Sequence, residues 1–214
     1  SRLGSDKDSR EGLIYVYTKT MKYMLIITLP IAVYTTMSSS LIVKVLFGRE
    51  FSESTISFQL LMWSIVPLFM NTLLSFILTS IRRQNVLKAS SIACFITNCI
   101  LAFILIPKYG HIGASIAYLI AYYVLFLLNF YYTTKYLTLI PIWRISIQPL
   151  FAGSAIFFLF VFLSNKINIV LLTLSAFFIY MGLLFATKTV TADEIRIFQK
   201  AFSKESGRQV QEKR

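Results

Sequence analysis

Residues 98–123 read NCILAFILIPKYGHIGASIAYLIAYY, and this stretch predicts the fold of the chain. Two uncharged apolar runs flank the segment from Pro107 to Gly113, which contains the proline, two glycines, and the lysine and histidine of this stretch. Each run extends to about 20 residues, which at ~1.5 Å per helical residue matches the ~30 Å hydrocarbon layer of a bilayer. The stretch therefore predicts a helical hairpin in a membrane.

The composition extends this prediction to the whole chain. Of the 214 residues, 57% are hydrophobic and only 14% are charged, and the mean hydropathy is +0.70. A soluble domain has about a quarter of its residues charged. Because the charge deficit is concentrated in long uncharged runs, the sequence predicts an all-α, polytopic membrane protein.

The apolar runs divide the chain into a lead-in, a membrane region and a tail. Residues 1–22 are predicted to form a cytoplasmic and interfacial lead-in, and 187–214 a basic cytoplasmic tail with a short amphipathic helix. The region 23–186 is predicted to contain six transmembrane helices, at 23–43, 56–81, 87–106, 112–132, 147–163 and 167–186.

The distribution of basic residues predicts the orientation. The net charge is +12, from 21 Lys and Arg against 9 Asp and Glu, and these charges lie in the tails and short loops. Six spans leave 17 of the 21 basic residues on the side of both termini, and four on the other side: Lys44, Arg49, Lys108 and Lys166. The positive-inside rule then makes both termini cytoplasmic and the location the cell membrane. Nucleic acid is not an expected partner, since its recognition needs basic residues on one surface with aromatics between them.

The residues needed for catalysis or for a metal are missing from the predicted spans. All nine acidic residues fall in the tails or in the segment 49–53. Cys94 and Cys99 are five residues apart, on different faces of a helix, and His111 has no partner at metal-ligand spacing. We therefore expect no enzyme activity, no metal and no cofactor.

Asparagines inside the spans are candidate substrate-binding residues. Asn71 and Asn98 lie at membrane depth, as do Gln59 and Asn129. Such amides commonly form hydrogen bonds between helices. The alternative is that they line a polar cavity for a hydroxyl-rich substrate, and the sequence leaves both interpretations open.

Four basic residues at the ends of spans are further candidates. Lys44 can extend to the headgroups, or it can line a vestibule with Arg49 and attract a phosphate or an acidic sugar. Arg82 and Arg83, near Lys88, can set the topology, or they can hold the diphosphate of a lipid-linked substrate through charge-assisted hydrogen bonds.

Two tyrosines complete the candidate set. Tyr118 and Tyr122 are one helical turn apart and therefore share a face. They can pack against neighbouring helices or stack on sugar rings.

Three stretches taken together resemble a known transporter family over about Pro30 to Lys135. They are PIAVYTTMSSSLIVKVLFGREFSES, SIRRQNVLKAS and NCILAFILIPKYGHIGASIAYLIAYYV, of which LIPKYGHIGAS is the strongest marker. The set resembles the C-terminal half of polysaccharide flippases, the oligosaccharide-lipid transporters of the MATE-like exporter superfamily. No individual substrate residue can be carried over from that family.

The resemblance implies an architecture and a function. Members of that family have fourteen helices in two lobes, so the six spans would be the last six and the partner would be a missing N-terminal half. They move lipid-linked oligosaccharides across the cytoplasmic membrane for surface polysaccharide or glycan assembly. The expected partners are therefore a lipid-linked saccharide and membrane lipids. Alternatives are a multidrug or ion-coupled exporter of the same architecture, an integral membrane glycosyl- or acyltransferase, and a scaffold.

Overall fold

The computed structural model describes residues 2–137 and the single positions 147, 153, 154 and 182. The continuous part is helical throughout apart from short turns. Its elements are α1 (Arg2–Leu46), a 3₁₀ helix (Arg49–Ser54), α2 (Thr55–Trp63), α3 (Ile65–Ser80) and α4 (Gln84–Tyr136).

Long apolar helices confirm the all-α membrane class. Three helical stretches of the described part are long and apolar enough to cross a bilayer: Ile14–Leu46, Arg49–Ser80 and Gln84–Tyr136. The predicted spans 147–163 and 167–186 lie outside the described residues. The count of six spans therefore stays a prediction.

α4 is a hairpin rather than one long rod. A straight helix of its 53 residues would be about 80 Å long, far more than the ~30 Å hydrocarbon layer. At Gly110 the backbone leaves the helical conformation, with φ 56° and ψ −131°. The two ends of α4 then meet, because the guanidinium carbon of Arg83 lies 4.3 Å from the ring centroid of Tyr136. We call residues 84–109 the first arm and residues 111–136 the second arm.

The turn between the arms is shorter than the sequence suggested. The predicted helices stop at Ile106 and resume at Ile112, whereas in the structure only Gly110 is non-helical. Gly113 makes this possible, since a Cβ at that position would overlap the carbonyl oxygen of Leu105. The hairpin therefore depends on the positive φ of Gly110 and on the close approach of the backbones at Gly113.

The predicted span 56–81 is interrupted at Ser64, which ends α2 and precedes α3. The interruption follows from Pro67, which has no N–H to donate to the carbonyl of Trp63. Ser64 compensates locally, because its amide and its hydroxyl both donate to the carbonyl oxygen of Leu61, at 3.1 and 2.6 Å. Pro30, by contrast, is accommodated inside the unbroken helix α1.

Two contacts fix the direction of the second arm. His111 Nε2 lies 3.4 Å from the carbonyl oxygen of Glu53, and Arg83 covers Tyr136 at the opposite end. Glu53, which precedes α2, therefore meets the start of the second arm, and Arg83, which follows α3, meets its end. The second arm consequently runs parallel to α2 and α3. We call the end with Glu53 and His111 the turn end, and the end with Arg83 and Tyr136 the basic end.

The apolar core lies between α1, α3 and the second arm, towards the basic end. Its buried members are Tyr17, Met21, Leu25, Leu29, Met70, Leu73, Leu74, Ile77 and Leu137. The first arm lies at the periphery, and Phe103, for example, is 84% exposed. Such an apolar outer face suits contact with lipid tails.

We predict that Gly113→Ala destabilises the hairpin, because the added methyl group would overlap the backbone at Leu105. Overpacking of this kind costs about 1–3 kcal/mol or more. Thermal unfolding of the purified chain in detergent measures the effect. Gly12→Ala is the matched control, since a Cβ at Gly12 meets nothing within 4 Å. Equal stability of the two variants would contradict the close approach.

Candidate functional site

A pair of buried asparagines joins α3 to the second arm at the centre of the bundle. Asn71 is 5% exposed and Asn129 is 2% exposed. Asn129 Nδ2 donates to Asn71 Oδ1 at 3.2 Å, and Asn71 Nδ2 donates to the carbonyl oxygen of Tyr122 at 3.4 Å. The parallel course of the two helices brings these residues together, although 58 positions separate them.

The hydrogen bonds fix the orientation of both amides. The carbonyl of Tyr122 can only accept, so Asn71 must present its amino group there and its oxygen to Asn129. Asn129 must then present its amino group to Asn71, and its own Oδ1 has no donor in the described part. A buried acceptor without a partner costs about 1–3 kcal/mol. This oxygen can accept a hydrogen bond from a water or from a ligand hydroxyl.

A second polar contact joins α1 to α2 nearer the turn end. Gln59 Nε2 donates to Ser39 Oγ at 2.7 Å and to the carbonyl oxygen of Thr36 at 3.2 Å. The hydroxyls of Ser38 and Ser57 are buried here and lack a hydrogen-bond partner in the described part. Neutral groups able to donate or accept are therefore placed at membrane depth in two separate positions.

An apolar cavity of about 140 Å³ lies between α1, α3 and the second arm. Its lining is Met21, Leu25, Val66, Pro67, Met70, Tyr123 and Phe126. These side chains offer apolar surface and flexible thioethers, which suit a hydrocarbon group.

The eight residues predicted from the sequence do not form a single cluster. Lys44 and Arg49 are exposed near the turn end, Asn71 is at the centre, and Arg82 and Arg83 are exposed at the basic end. The remaining three are partly buried: Asn98 on the first arm, and Tyr118 and Tyr122 on the second arm.

The two predicted tyrosines are in contact. The ring centroids of Tyr118 and Tyr122 are 4.5 Å apart, with the rings inclined at 37°. Tyr122 also supplies the carbonyl that orients Asn71. Their binding role stays a prediction.

Arg82 has an unusual backbone conformation at the end of α3. Its φ is +58°, in the left-handed region that favours glycine. The amide of Arg83 donates to the carbonyl of Leu78 at 2.8 Å, and that of Arg82 to Thr79 at 3.0 Å. This pair of bonds defines a Schellman motif with arginine in the position where glycine is usual.

Three residues outside the eight candidates are central to these contacts: Gln59, Asn129 and Tyr136. Asn129 and Gln59 stood out as polar residues inside spans, but their partners depend on the relative positions of helices. Lys135 Nζ lies 5.9 Å from the ring centroid of Tyr136, which Arg83 also covers.

Among the described residues, no group of three or more His, Cys, Asp and Glu is placed to hold a metal ion.

Together the fold and these contacts define a helical membrane protein with neutral polar contacts between its spans. The chain is similar to an uncharacterized membrane protein of Methanocaldococcus jannaschii, with 27% identity over 132 residues. The match covers 62% of this chain and 26% of the relative, so it spans about a quarter of the relative's length. No protein-family model and no solved structure matches the chain.

We predict that Asn71 and Asn129 are energetically coupled. Asn129→Leu leaves the oxygen of Asn71 without its donor, whereas Asn71→Leu with Asn129→Leu removes both polar groups. The loss of unfolding free energy in the double variant should therefore be smaller than the sum of the two single losses, by about 0.6–1.7 kcal/mol. A double-mutant cycle of thermal unfolding in detergent measures this coupling, and additive effects would contradict the contact.

We also predict that Arg82→Gly stabilises the chain. Glycine removes the Cβ that disfavours the left-handed conformation, which is worth about 1 kcal/mol. Arg82→Ala, which removes the same charge but keeps the Cβ, is the control and should show no gain in unfolding temperature. If the unfolding temperature rises equally in both variants, the loss of the charge rather than the backbone conformation causes the stabilisation.

Proposed function

We propose that this chain is part of a flippase of the MATE-like exporter superfamily that moves a lipid-linked oligosaccharide across the cell membrane. Its substrate would serve surface polysaccharide or glycan assembly. The support consists of the sequence resemblance over Pro30 to Lys135, the membrane fold, and the similarity to a longer membrane protein.

The proposal rests on one observation: at two positions, neutral polar side chains form hydrogen bonds between spans. Gln59 joins α2 to α1, and Asn71 joins α3 to Asn129 of the second arm. Hydrogen bonds of this kind contribute only about 0.6 kcal/mol on average inside a membrane. Replacing these hydrogen bonds by bonds to substrate hydroxyls therefore costs little free energy. The same holds when they break and form again as the helices change between two arrangements.

The charges favour an anionic substrate over a cationic one. Between residues 12 and 137, the acidic residues are Glu50 and Glu53, both in the 3₁₀ helix near the turn end. Lys44 and Arg49 are exposed near the same end, and Arg82 and Arg83 at the other. Basic groups at both ends suit a phosphate-bearing carrier lipid that must be received on one side and released on the other.

The proposal includes a topology. The basic end would be cytoplasmic, because the charge bias of the sequence places Arg82, Arg83 and Lys135 on that side. With two further spans after residue 137, both ends of the segment would be cytoplasmic. The described helices would belong to the second of two lobes, and the substrate path would lie between this lobe and an N-terminal lobe.

A multidrug exporter of the same architecture is the second candidate. The apolar cavity beside Met21, Met70 and Phe126 favours it, since such a lining binds hydrophobic compounds. The cavity also suits the hydrocarbon chain of a carrier lipid. The two candidates therefore differ in what they transport, not in the shape of the cavity.

The proposal predicts that deletion of the gene causes a lipid-linked saccharide to accumulate in the cytoplasmic leaflet. The measurement is leaflet-specific labelling of the glycolipid with a lectin or oxidant that does not cross membranes. Complementation with Asn71→Leu together with Asn129→Leu should restore transport only in part, because the polar groups at the centre are removed while the bundle keeps its apolar packing.

Tyr109→Leu, at the exposed turn end, is the control and should complement fully. Normal arrival of the glycolipid in the outer leaflet of the deletion strain, with no second transporter present, would refute the flippase. Drug sensitivity of that strain without glycolipid accumulation would favour the exporter.

A further inference from the structure

Two cations from distant positions share one aromatic ring at the basic end. The guanidinium carbon of Arg83 lies 4.3 Å from the ring centroid of Tyr136, and Lys135 Nζ lies 5.9 Å from the same centroid. Their charges are therefore within about 10 Å of each other, no more than the ~10 Å Debye length at 0.1 M salt. The hairpin brings together two like charges that repel each other.

Among the side chains that the structure describes (residue 12 and residues 14–137), none at this end is a carboxylate. Between residues 12 and 137 the acidic side chains, Glu50 and Glu53, both belong to the turn end. The basic end carries Arg82 and Arg83 beside Lys135. An external anion placed between these cations would remove the repulsion.

The ring contact leaves the donors of Arg83 available. A cation above an aromatic face is held by the quadrupole of the ring and uses no N–H group. The planar guanidinium has five N–H donors in a geometry that matches phosphate oxygens. Both Arg83 and Lys135 are exposed, so an anion can reach them from outside the bundle.

The depth of this cluster matches a lipid headgroup. α3 ends at Ser80 and α4 begins at Gln84, so the cations lie where the apolar spans end. Tyrosine is enriched at that level of a bilayer, and basic pockets between helices there bind phosphate headgroups. Arg82 adds a third cation, in a backbone position where glycine would be favoured.

We propose that Arg83, Lys135 and Tyr136, with Arg82 beside them, form a binding site for the phosphate headgroup of an anionic membrane phospholipid. The ring of Tyr136 positions Arg83, and the two cations hold the phosphate from both arms of the hairpin. A lipid bound there would join the start of the first arm to the end of the second. The inference requires only that the chain spans a bilayer, so it does not depend on the flippase.

The test is a titration of the full chain in neutral detergent, followed by native mass spectrometry. Dioleoylphosphatidylglycerol is the probe, dioleoylphosphatidylcholine is the neutral lipid control, and inorganic pyrophosphate is the soluble phosphate control. The wild-type chain should bind phosphatidylglycerol in preference to phosphatidylcholine. Arg83→Gln and Lys135→Gln should each weaken that binding about fivefold, the effect expected from one cation near a charged headgroup.

The turn end provides matched controls, because Lys108 and Tyr109 repeat the adjacent Lys–Tyr pair of positions 135 and 136. Lys108→Gln and Tyr109→Leu should leave phosphatidylglycerol binding unchanged. Tyr136→Leu should weaken it although no charge is lost, because Arg83 is no longer positioned. If Tyr136→Leu does not fold, the comparison of Arg83→Gln and Lys135→Gln with Lys108→Gln still decides the question.

Three results would overturn the site. Equal losses in Lys108→Gln and Lys135→Gln would show attraction by charge alone. Unchanged binding in a folded Tyr136→Leu would show that the ring plays no part. Saturation by pyrophosphate, with no preference for phosphatidylglycerol, would make the occupant a soluble phosphate instead of a lipid.

Discussion

The reversal of α4 at Gly110 is the constraint on which the rest of the bundle depends. Gly110 has a backbone conformation outside the helical region, and Gly113 lets the second arm pass against the backbone at Leu105. Without this reversal the second arm could not lie beside α3, and Asn71 could not reach Asn129. The central polar contact and the cluster at the basic end thus both follow from a turn made by one residue.

The bundle combines an apolar core with polar groups that packing alone does not require. Met21 and Leu74 are almost completely buried. Tyr17 and Asn129 are equally buried, yet the Tyr17 hydroxyl and the Asn129 Oδ1 have no hydrogen-bond partner in the described part. Burying such a group is unfavourable unless water or a ligand completes its hydrogen bonds. Inside a membrane, neutral amides also form hydrogen bonds that hold helices together, as Asn129 does with Asn71.

The sequence was sufficient to predict the helical membrane class and the reversal near residue 110, because these depend on apolar composition and on the proline and glycines of that segment. It named both Asn71 and Asn129 as polar residues inside spans but did not predict their pairing, since their meeting depends on the rotation of two helices about their axes. It predicted one uninterrupted span over residues 56–81, whereas the helix breaks at Ser64, three residues before Pro67. The contact between Arg83 and Tyr136 could not be predicted, because it requires closure of the whole hairpin.

The short connection at Gly110 also bears on how the protein enters the membrane. One non-helical residue joins the two arms, and so short a connection favours their insertion as a pair. The first arm is strongly apolar and partitions readily into lipid, and it can carry with it the second arm and its buried Asn129. Among residues 98–123, Lys108 is the one residue with a fixed charge. The hairpin is therefore suited to enter the membrane as one unit.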